Sequence, residues 1–385
     1  LIYFAFFKTF VTIAKAKINN TQKKLMSVLH QHHVTPTHFA PAPEAEHEIH
    51  DVLRNLWSKN SLERTPFGTL YQKELQKFSG KSFVYSASRI RVLEKILGAF
   101  DLPQGSEIIC SSWIDPMYVR SILAMGFHPV FAEINPYTLS LDYSDVSHKL
   151  TKWTGAILLH YPCGFPADPY AFASLASEKN LRLIEIVPTP IGSKIDNRLI
   201  GTHADVGIFE THPNQSYTQQ KDCFILTDSV DVAHVFANQK DSHFSHLDGA
   251  LGLWFLQNFQ QQCDLRRSLA DRYHQAFTRL LNVSVLYELA NAQWVHYLYP
   301  LRVSHKVRER LIDRLAQKEI PYCVPSLPVH LLSYIQNALR HPQLLTTEKL
   351  MRETIYLPIH PRMSSEQQKR IIDEVVHFFK NDSFL

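Results

Sequence analysis

One loop carries the densest set of reactive side chains. The stretch "GIFETHPNQSYTQQKDCFILT" enters as an apolar run from Gly207 to Phe209 and leaves as a second apolar run, "CFILT". The intervening "THPNQS" is therefore held at a strand's end, where α/β proteins usually keep their chemistry. His212, Asn214, Gln215 and Ser216 offer an imidazole, two amides and a hydroxyl. Serine and histidine are the parts of a nucleophile and its base, but no G-x-S-x-G elbow presents a serine for attack. Amine chemistry needs a lysine. Lys194 and Lys221 are the nearest, and Lys221 reads as a solvated loop residue. His160 ends another apolar run shortly before Gly164, and like His212 it reads as structural or pocket-lining.

The frame for these residues is legible between about Phe83 and Leu226, where short apolar runs alternate with amphipathic stretches. That alternation predicts a mostly parallel sheet covered by helices. The expected strands are "SFVYS", "SEIICSS", "HPVFAEI", "GAILLHY", "LRLIEIV", "DVGIFE" and "CFILT". Between them "SRIRVLEKILGAF", "PMYVRSILAMG" and "DPYAFASLASEKN" have helical spacing, with Ile90, Leu93, Ile96 and Leu97 expected to face the sheet. One long helical stretch is expected from about Asp248 to Leu281. Beyond it "WVHYLYPLRV" and "TIYLPIHP" read as strands, and "SHKVRERLIDRLAQKEI" and "SSEQQKRIIDEVVHFFK" as amphipathic helices. The domains expected are 26–250, large, and 251–385, a small C-terminal α/β unit.

Composition narrows the function classes. At 385 residues, 45% hydrophobic and 20% charged, the chain is an ordinary globular protein. Its net charge of +4 comes from scattered basic residues, so nucleic acid is not expected as a partner. Five cysteines, odd in number and never spaced C-x-x-C, fit a reducing, cytoplasmic setting and no zinc site. "HQHH" (His30 to His33) reads as a solvated tail and not as a metal tract, so no metal is expected. "LIYFAFFKTFVTIA" is interrupted by Lys8 and is shorter than the ~20 residues a spanning helix needs. Residues 1–25, before the first methionine at Met26, read as an extension outside the fold, with no membrane partner expected; a membrane-touching helix is the alternative.

The ordered series of strand-end motifs resembles the DegT/DnrJ/StrS family, the sugar aminotransferases of the fold-type-I pyridoxal-phosphate group. The likeness covers nearly everything after Met26. "HPVFAEINPYTLSLD" is similar to the family's P-V-F-x-D-x-x-P-x-T-x-x-x-D, and "GAILLHYPCGFPAD" to A-I-x-x-x-H-x-x-G-x-P-A-D. "RLIGTHADVGIF" resembles G-x-x-x-G-S-x-G-D-x-G-x-F, "DGALGLWFLQNF" the A-A-x-G-x-x-Q-L helix, and "IYLPIHPRMSSEQQKRII" the closing L-P-x-x-P motif. Each motif alone is weak, but five in order speak for the fold, though not for the activity. The resemblance implies a large domain with a mostly parallel seven-stranded sheet, a small α/β domain, and a homodimer with its active sites at the interface.

The resemblance also assigns a cofactor site, and there this chain departs from the family. The family's F-S-F-x-P-x-K supplies the lysine that bonds to the cofactor aldehyde; Gln215 stands at that position. The aspartate of E-D-A-A-Q, which keeps the pyridine nitrogen protonated, is matched by Ile186, with Thr189 ending the motif. The phosphate-binding S-G-T reads Ser86, Ala87, Ser88, and the phosphate-contacting serine of F-S-F is matched by Glu210. The stacking aromatic falls near Asp115, and the neighbouring subunit's asparagine at Asp241. His160, His212 and His330 are the implied substrate-pocket residues.

A non-catalytic homologue is expected, without cofactor, that binds a nucleotide sugar or pairs as a heterodimer with an active paralogue. The alternative is a sugar aminotransferase or dehydratase-like enzyme using pyridoxal or pyridoxamine phosphate by a displaced or lysine-free mechanism. Glu210 is expected to oppose a phosphate by like-charge repulsion.

Overall fold

The computed structural model describes Arg54 and residues 66–188, 191–210, 223–239, 242–336 and 342–381. Among the described residues, nine strands and several helices make the larger unit. In chain order they are α1 (Phe67–Ser79), β1 (Phe83–Ala87), α2 (Val92–Ala99), β2 (Glu107–Ser111), α3 (Pro116–Ala124), β3 (His128–Ala132) and α4 (Tyr143–Lys149). There follow β4 (Thr154–His160), α5 (Tyr170–Lys179), β5 (Arg182–Val187), β6 (Lys194–Ile195), β7 (Arg198–Leu199), β8 (Val206–Glu210), β9 (Cys223–Thr227), α6 (Val230–Ala237), α7 (His246–Gln257) and α8 (Phe259–Phe277).

Seven of these strands form the main sheet in the order β1-β9-β8-β5-β4-β2-β3. The pairs of β2 with β3 and β4, of β4 with β5, and of β5 with β8 are parallel; β9 runs antiparallel to both its neighbours. All seven apolar runs expected as strands are these seven. Their continuous apolar character has a physical cause: the sheet is covered on both faces, so neither set of alternating side chains meets water. Ile109, Ile157, Leu159, Leu183 and Val187 point into one core cluster. Ile108, Ile184, Ile186 and Ile208 point into the other.

Two helix expectations change. Ile90 does not face the sheet: it is 41% exposed. The Ser88 carbonyl accepts from the backbone N–H of Arg91 and Val92, so the chain is still turning at Ile90 and α2 begins two residues later. The long stretch after Asp248 is two helices, broken at Asn258, whose side-chain amide caps the Trp254 carbonyl. Helix α7 lies against α1 at very close range, because a Cβ at Gly249 would overlap the backbone of Phe67 and Gly68.

The smaller unit has β10 (Val283–Val285), β11 (Ala292–Gln293), β12 (Leu298–Val303), α9 (His305–Gln317), α10 (Ser333–Gln336), α11 (Leu345–Glu353), β13 (Thr354–Pro358) and α12 (Ser365–Asn381). Strands β10, β12 and β13 form an antiparallel sheet, and β11 joins β6 and β7 in a small ribbon. Apolar residues of α8 and α9 and of β12 and β13 share one core there. Glu133, just past β3, accepts from the backbone N–H of Thr346 and Thr347 at the start of α11, which ties the two units together. Among the described residues no helix is long and apolar enough to cross a membrane.

Candidate active site at the carboxyl ends of the sheet

The strand ends converge on Glu210, the last residue of β8, which is 5% exposed. A carboxylate so buried needs partners. Tyr118, on α3, donates its phenolic hydrogen to Glu210 Oε1 at 2.6 Å. Arg89, in the turn between β1 and α2, places Nη1 3.6 Å from Glu210 Oε2 and 3.2 Å from Asp115 Oδ2. Asp115 also caps α3, because its Oδ1 accepts from the Met117 N–H at 2.8 Å. One guanidinium therefore serves two carboxylates. Burial, with Glu210 beside it, pushes the Tyr118 phenol well above its usual range, so Tyr118 stays a donor.

His160, at the end of β4, stands close enough to Glu210 to feel its charge. Burial drives its imidazole down to about 4 against the opposing pull of Glu210 and of a hydrogen bond to the Trp113 backbone. It is a neutral ring at ordinary pH, and its Nδ1 is buried with no hydrogen-bond partner among the described residues. Cys223 sits nearby, its thiol donating to the Ala87 carbonyl at 3.4 Å.

The remaining sequence-predicted residues divide. Ala87 ends β1 in ordinary strand conformation, and its φ is not positive. Ser88 is exposed in the following turn. Asp115 is a helix cap and an ion-pair partner of Arg89. Ile186 is fully buried with Ile184 and Ile208 in an apolar cluster. His330 does not reach Glu210 through any described bond; it faces Phe131 and pairs with Glu348 at 3.4 Å. Thr189, His212, Gln215 and Asp241 lie outside the described residues. Lys194 pairs with Gln293 across the β6–β11 ribbon, close to Cys263. Trp113, Trp294 and Tyr297 are buried.

Glu210, expected from the sequence to oppose a phosphate, is itself partnered by Tyr118 and Arg89. Sequence reading missed Arg89 and Tyr118. Arg89 directly follows the "SAS" turn and could have been noticed there. Tyr118 lies 92 positions from Glu210, and nothing local connects them.

A second buried carboxylate lies one strand away. Glu185, on β5, is fully buried and accepts from the Tyr161 hydroxyl at 2.6 Å and from the N–H groups of Gly201, His203 and Ala204 at 3.0, 2.6 and 3.0 Å. Burial alone would raise its carboxyl; the bonds from His203, Tyr161 and Gly201 outweigh that and hold it below the usual range. Glu185 shapes the 201–204 turn, which in turn presses on β8: a Cβ at Gly207 would overlap the Gly201 carbonyl. Among the described residues no group of three or more His, Cys, Asp or Glu could hold a metal ion.

Comparison with known proteins follows the same lines. GDP-perosamine synthase of Escherichia coli O157:H7 is 25% identical over 86% of this chain and 95% of its own length. The 3-oxo-glucose-6-phosphate:glutamate aminotransferase of Bacillus subtilis (strain 168) is 24% identical over 87% of this chain and 81% of its own. Among solved structures, NtdA from Bacillus subtilis, crystallised with bound cofactor PMP, superposes with a TM-score of 0.79 at 23% identity, over 91% of this chain and 86% of that one. Residues 42–238 and 240–376 match the DegT/DnrJ/EryC1/StrS aminotransferase family, and the chain belongs to it.

Proposed function

We propose that this chain is a non-catalytic member of its family, which keeps the sugar-aminotransferase fold, binds a nucleotide sugar, and pairs with a second copy or an active paralogue in the cytoplasm. The ion cluster on Glu210 carries the reading. Pyridoxal phosphate brings a phosphate dianion, a ring nitrogen that needs an acid partner and an aldehyde that needs an amine. Among the described residues, the Arg89 guanidinium already faces the carboxylates of Asp115 and Glu210, so it is engaged by acids before any phosphate arrives. Like charges about 4 Å apart repel by about 4 kcal/mol at an effective dielectric constant of about 20.

The other two requirements are also unmet. Ile186 offers the ring nitrogen only hydrocarbon. Gln215, at the position the resemblance gives to the lysine, has an amide whose lone pair is delocalised and cannot add to an aldehyde. These residues do not fit the cofactor. A sugar as ligand is supported by the activities that the relatives are named for. Pairing is supported by Leu70 on α1 and Leu247 on α7, which stay 39% and 38% exposed on two helices that already pack together.

The test is retention of pyridoxal phosphate through gel filtration, read by the absorbance of the bound cofactor, followed by a transamination assay with a keto-sugar nucleotide and glutamate. The unmodified protein should emerge without cofactor, and Gln215→Lys alone should not turn over, because Ile186 and Glu210 remain. Turnover by the unmodified protein would replace this reading with a lysine-free enzyme.

A further inference from the structure

The small sheet has two chemically different faces. Leu301, Val303, Ile355 and Leu357 make one of them core. On the other, Ser284 on β10 is the cross-strand partner of Arg302 on β12, and Arg302 is the partner of Thr354 on β13. Direct partners in antiparallel strands put their side chains on one face. A hydroxyl and a guanidinium thus stand side by side on this face, with Thr354 beside them, its own hydroxyl donating to the Leu350 carbonyl at 2.8 Å.

These residues line a cavity of about 300 Å³, whose opposite wall is the turn after β3 with Tyr137 and Leu139. That volume is at the small end of ligand sites. Tyr287 lines it as well. Tyr137 is 75% exposed and Tyr287 64%, large aromatic surfaces left in water beside a concavity. The turn that carries Tyr137 is fixed by its backbone N–H, which donates to Asn135 Oδ1 at 2.9 Å, and the Tyr287 ring stands edge-on to His274 at 4.9 Å.

Arg302 is fixed in the same way. Its Nη1 donates to the Pro136 carbonyl at 2.8 Å, which uses one of five N–H groups and sets the plane of the fork. Among the described residues no carboxylate pairs with it. A partly buried, oriented guanidinium without a carboxylate matches an anion. Tyrosine rings offer broad, stiff surfaces to the C–H face of a sugar ring, and the Ser284 hydroxyl can exchange hydrogen bonds with its hydroxyls.

We infer that this cavity binds an anionic sugar, with Arg302 taking the phosphate or carboxylate and Tyr137 and Tyr287 packing on the ring. The site lies between the small sheet and the β3 turn, and it does not rest on the reading proposed for Glu210.

Calorimetric titration of the full chain with glucose 1-phosphate, glucuronate, glucose and inorganic phosphate tests the assignment. Saturable binding is expected for one or both anionic sugars, at least about tenfold tighter than for glucose or phosphate alone. Arg302→Gln should weaken it by at least about tenfold. Because Arg302 also holds Pro136, Tyr287→Ala, at an exposed position, is the second variant and should weaken binding without lowering the melting temperature. No saturation with either anionic sugar overturns the proposal. So does phosphate binding as tightly as glucose 1-phosphate, or binding that both cavity variants leave intact.

Discussion

Glu185 and Glu210 occupy neighbouring strands of one sheet, both almost without solvent, and are satisfied in opposite ways. Three backbone N–H groups of one turn hold Glu185, with the Tyr161 hydroxyl donating from the end of β4 and the His203 ring 3.7 Å away. Among the described residues, side chains hold Glu210: Tyr118 from α3 and an Arg89 shared with Asp115. Backbone donors cannot move away without unfolding the turn, so Glu185 is part of the fold. Side-chain donors can be exchanged one at a time, so the Glu210 end of the sheet is where a family can change its chemistry and keep its architecture.

Replacing Glu185 should have the largest effect. Glu185→Ala leaves buried N–H groups and a phenol without an acceptor and should cost about 3–5 kcal/mol, read from urea unfolding. A loss below that of the Glu210 variant would break the comparison.

Next comes pH. Burial lowers His160 to about 4, so the unfolded chain takes up a proton that the folded chain refuses. Its contribution is therefore complete above about pH 6.5 and is lost as pH falls towards 4, at up to about 1.4 kcal/mol per pH unit. His296 and His360 are lowered too, so the unmodified protein should lose stability steeply over this range. His160→Gln should make that loss shallower by about one proton; an unchanged slope would show that His160 is not the buried neutral ring of the Glu210 end. Glu185, held below its usual range, acts lower: its stabilisation is present above the unfolded value of about 4.3 and is lost as pH falls through its folded value.

Glu210→Gln should cost less, about 1–2 kcal/mol, since the amide oxygen still accepts from Tyr118 and Arg89 keeps Asp115. The smallest effect belongs to Asp115→Asn. Asp115 is 30% exposed in its pair with Arg89, and asparagine can still cap α3, so a change of about 0.5 kcal/mol is expected. A shift in unfolding midpoint as large as that of Glu210→Gln would make the triad one unit instead of a core with a rim.

The contrast also explains what the sequence revealed. The strands of the main sheet are continuous apolar runs, so a period-free pattern bounded by helices identified them. Helix ends were less legible: Ile90 has the right spacing for α2 but sits in the Ser88 turn, and Asn258 breaks a pattern that periodicity alone runs through. Glu210 was singled out because it departs from a motif. Its partners were not, because an ion cluster assembled from the ends of β1, β2 and β8 has no spacing in the chain. Glu185 was passed over although its surroundings are the better satisfied, since matching a motif raises no question.

Binding of pyridoxamine phosphate, measured by calorimetry on the unmodified protein beside Glu210→Ser, tests most directly whether the Glu210 end has been closed to the cofactor by its own charges. No heat of binding is predicted for the unmodified protein, and detectable binding once the serine removes one of the acids that face Arg89. Tight, stoichiometric binding by the unmodified protein would contradict the account.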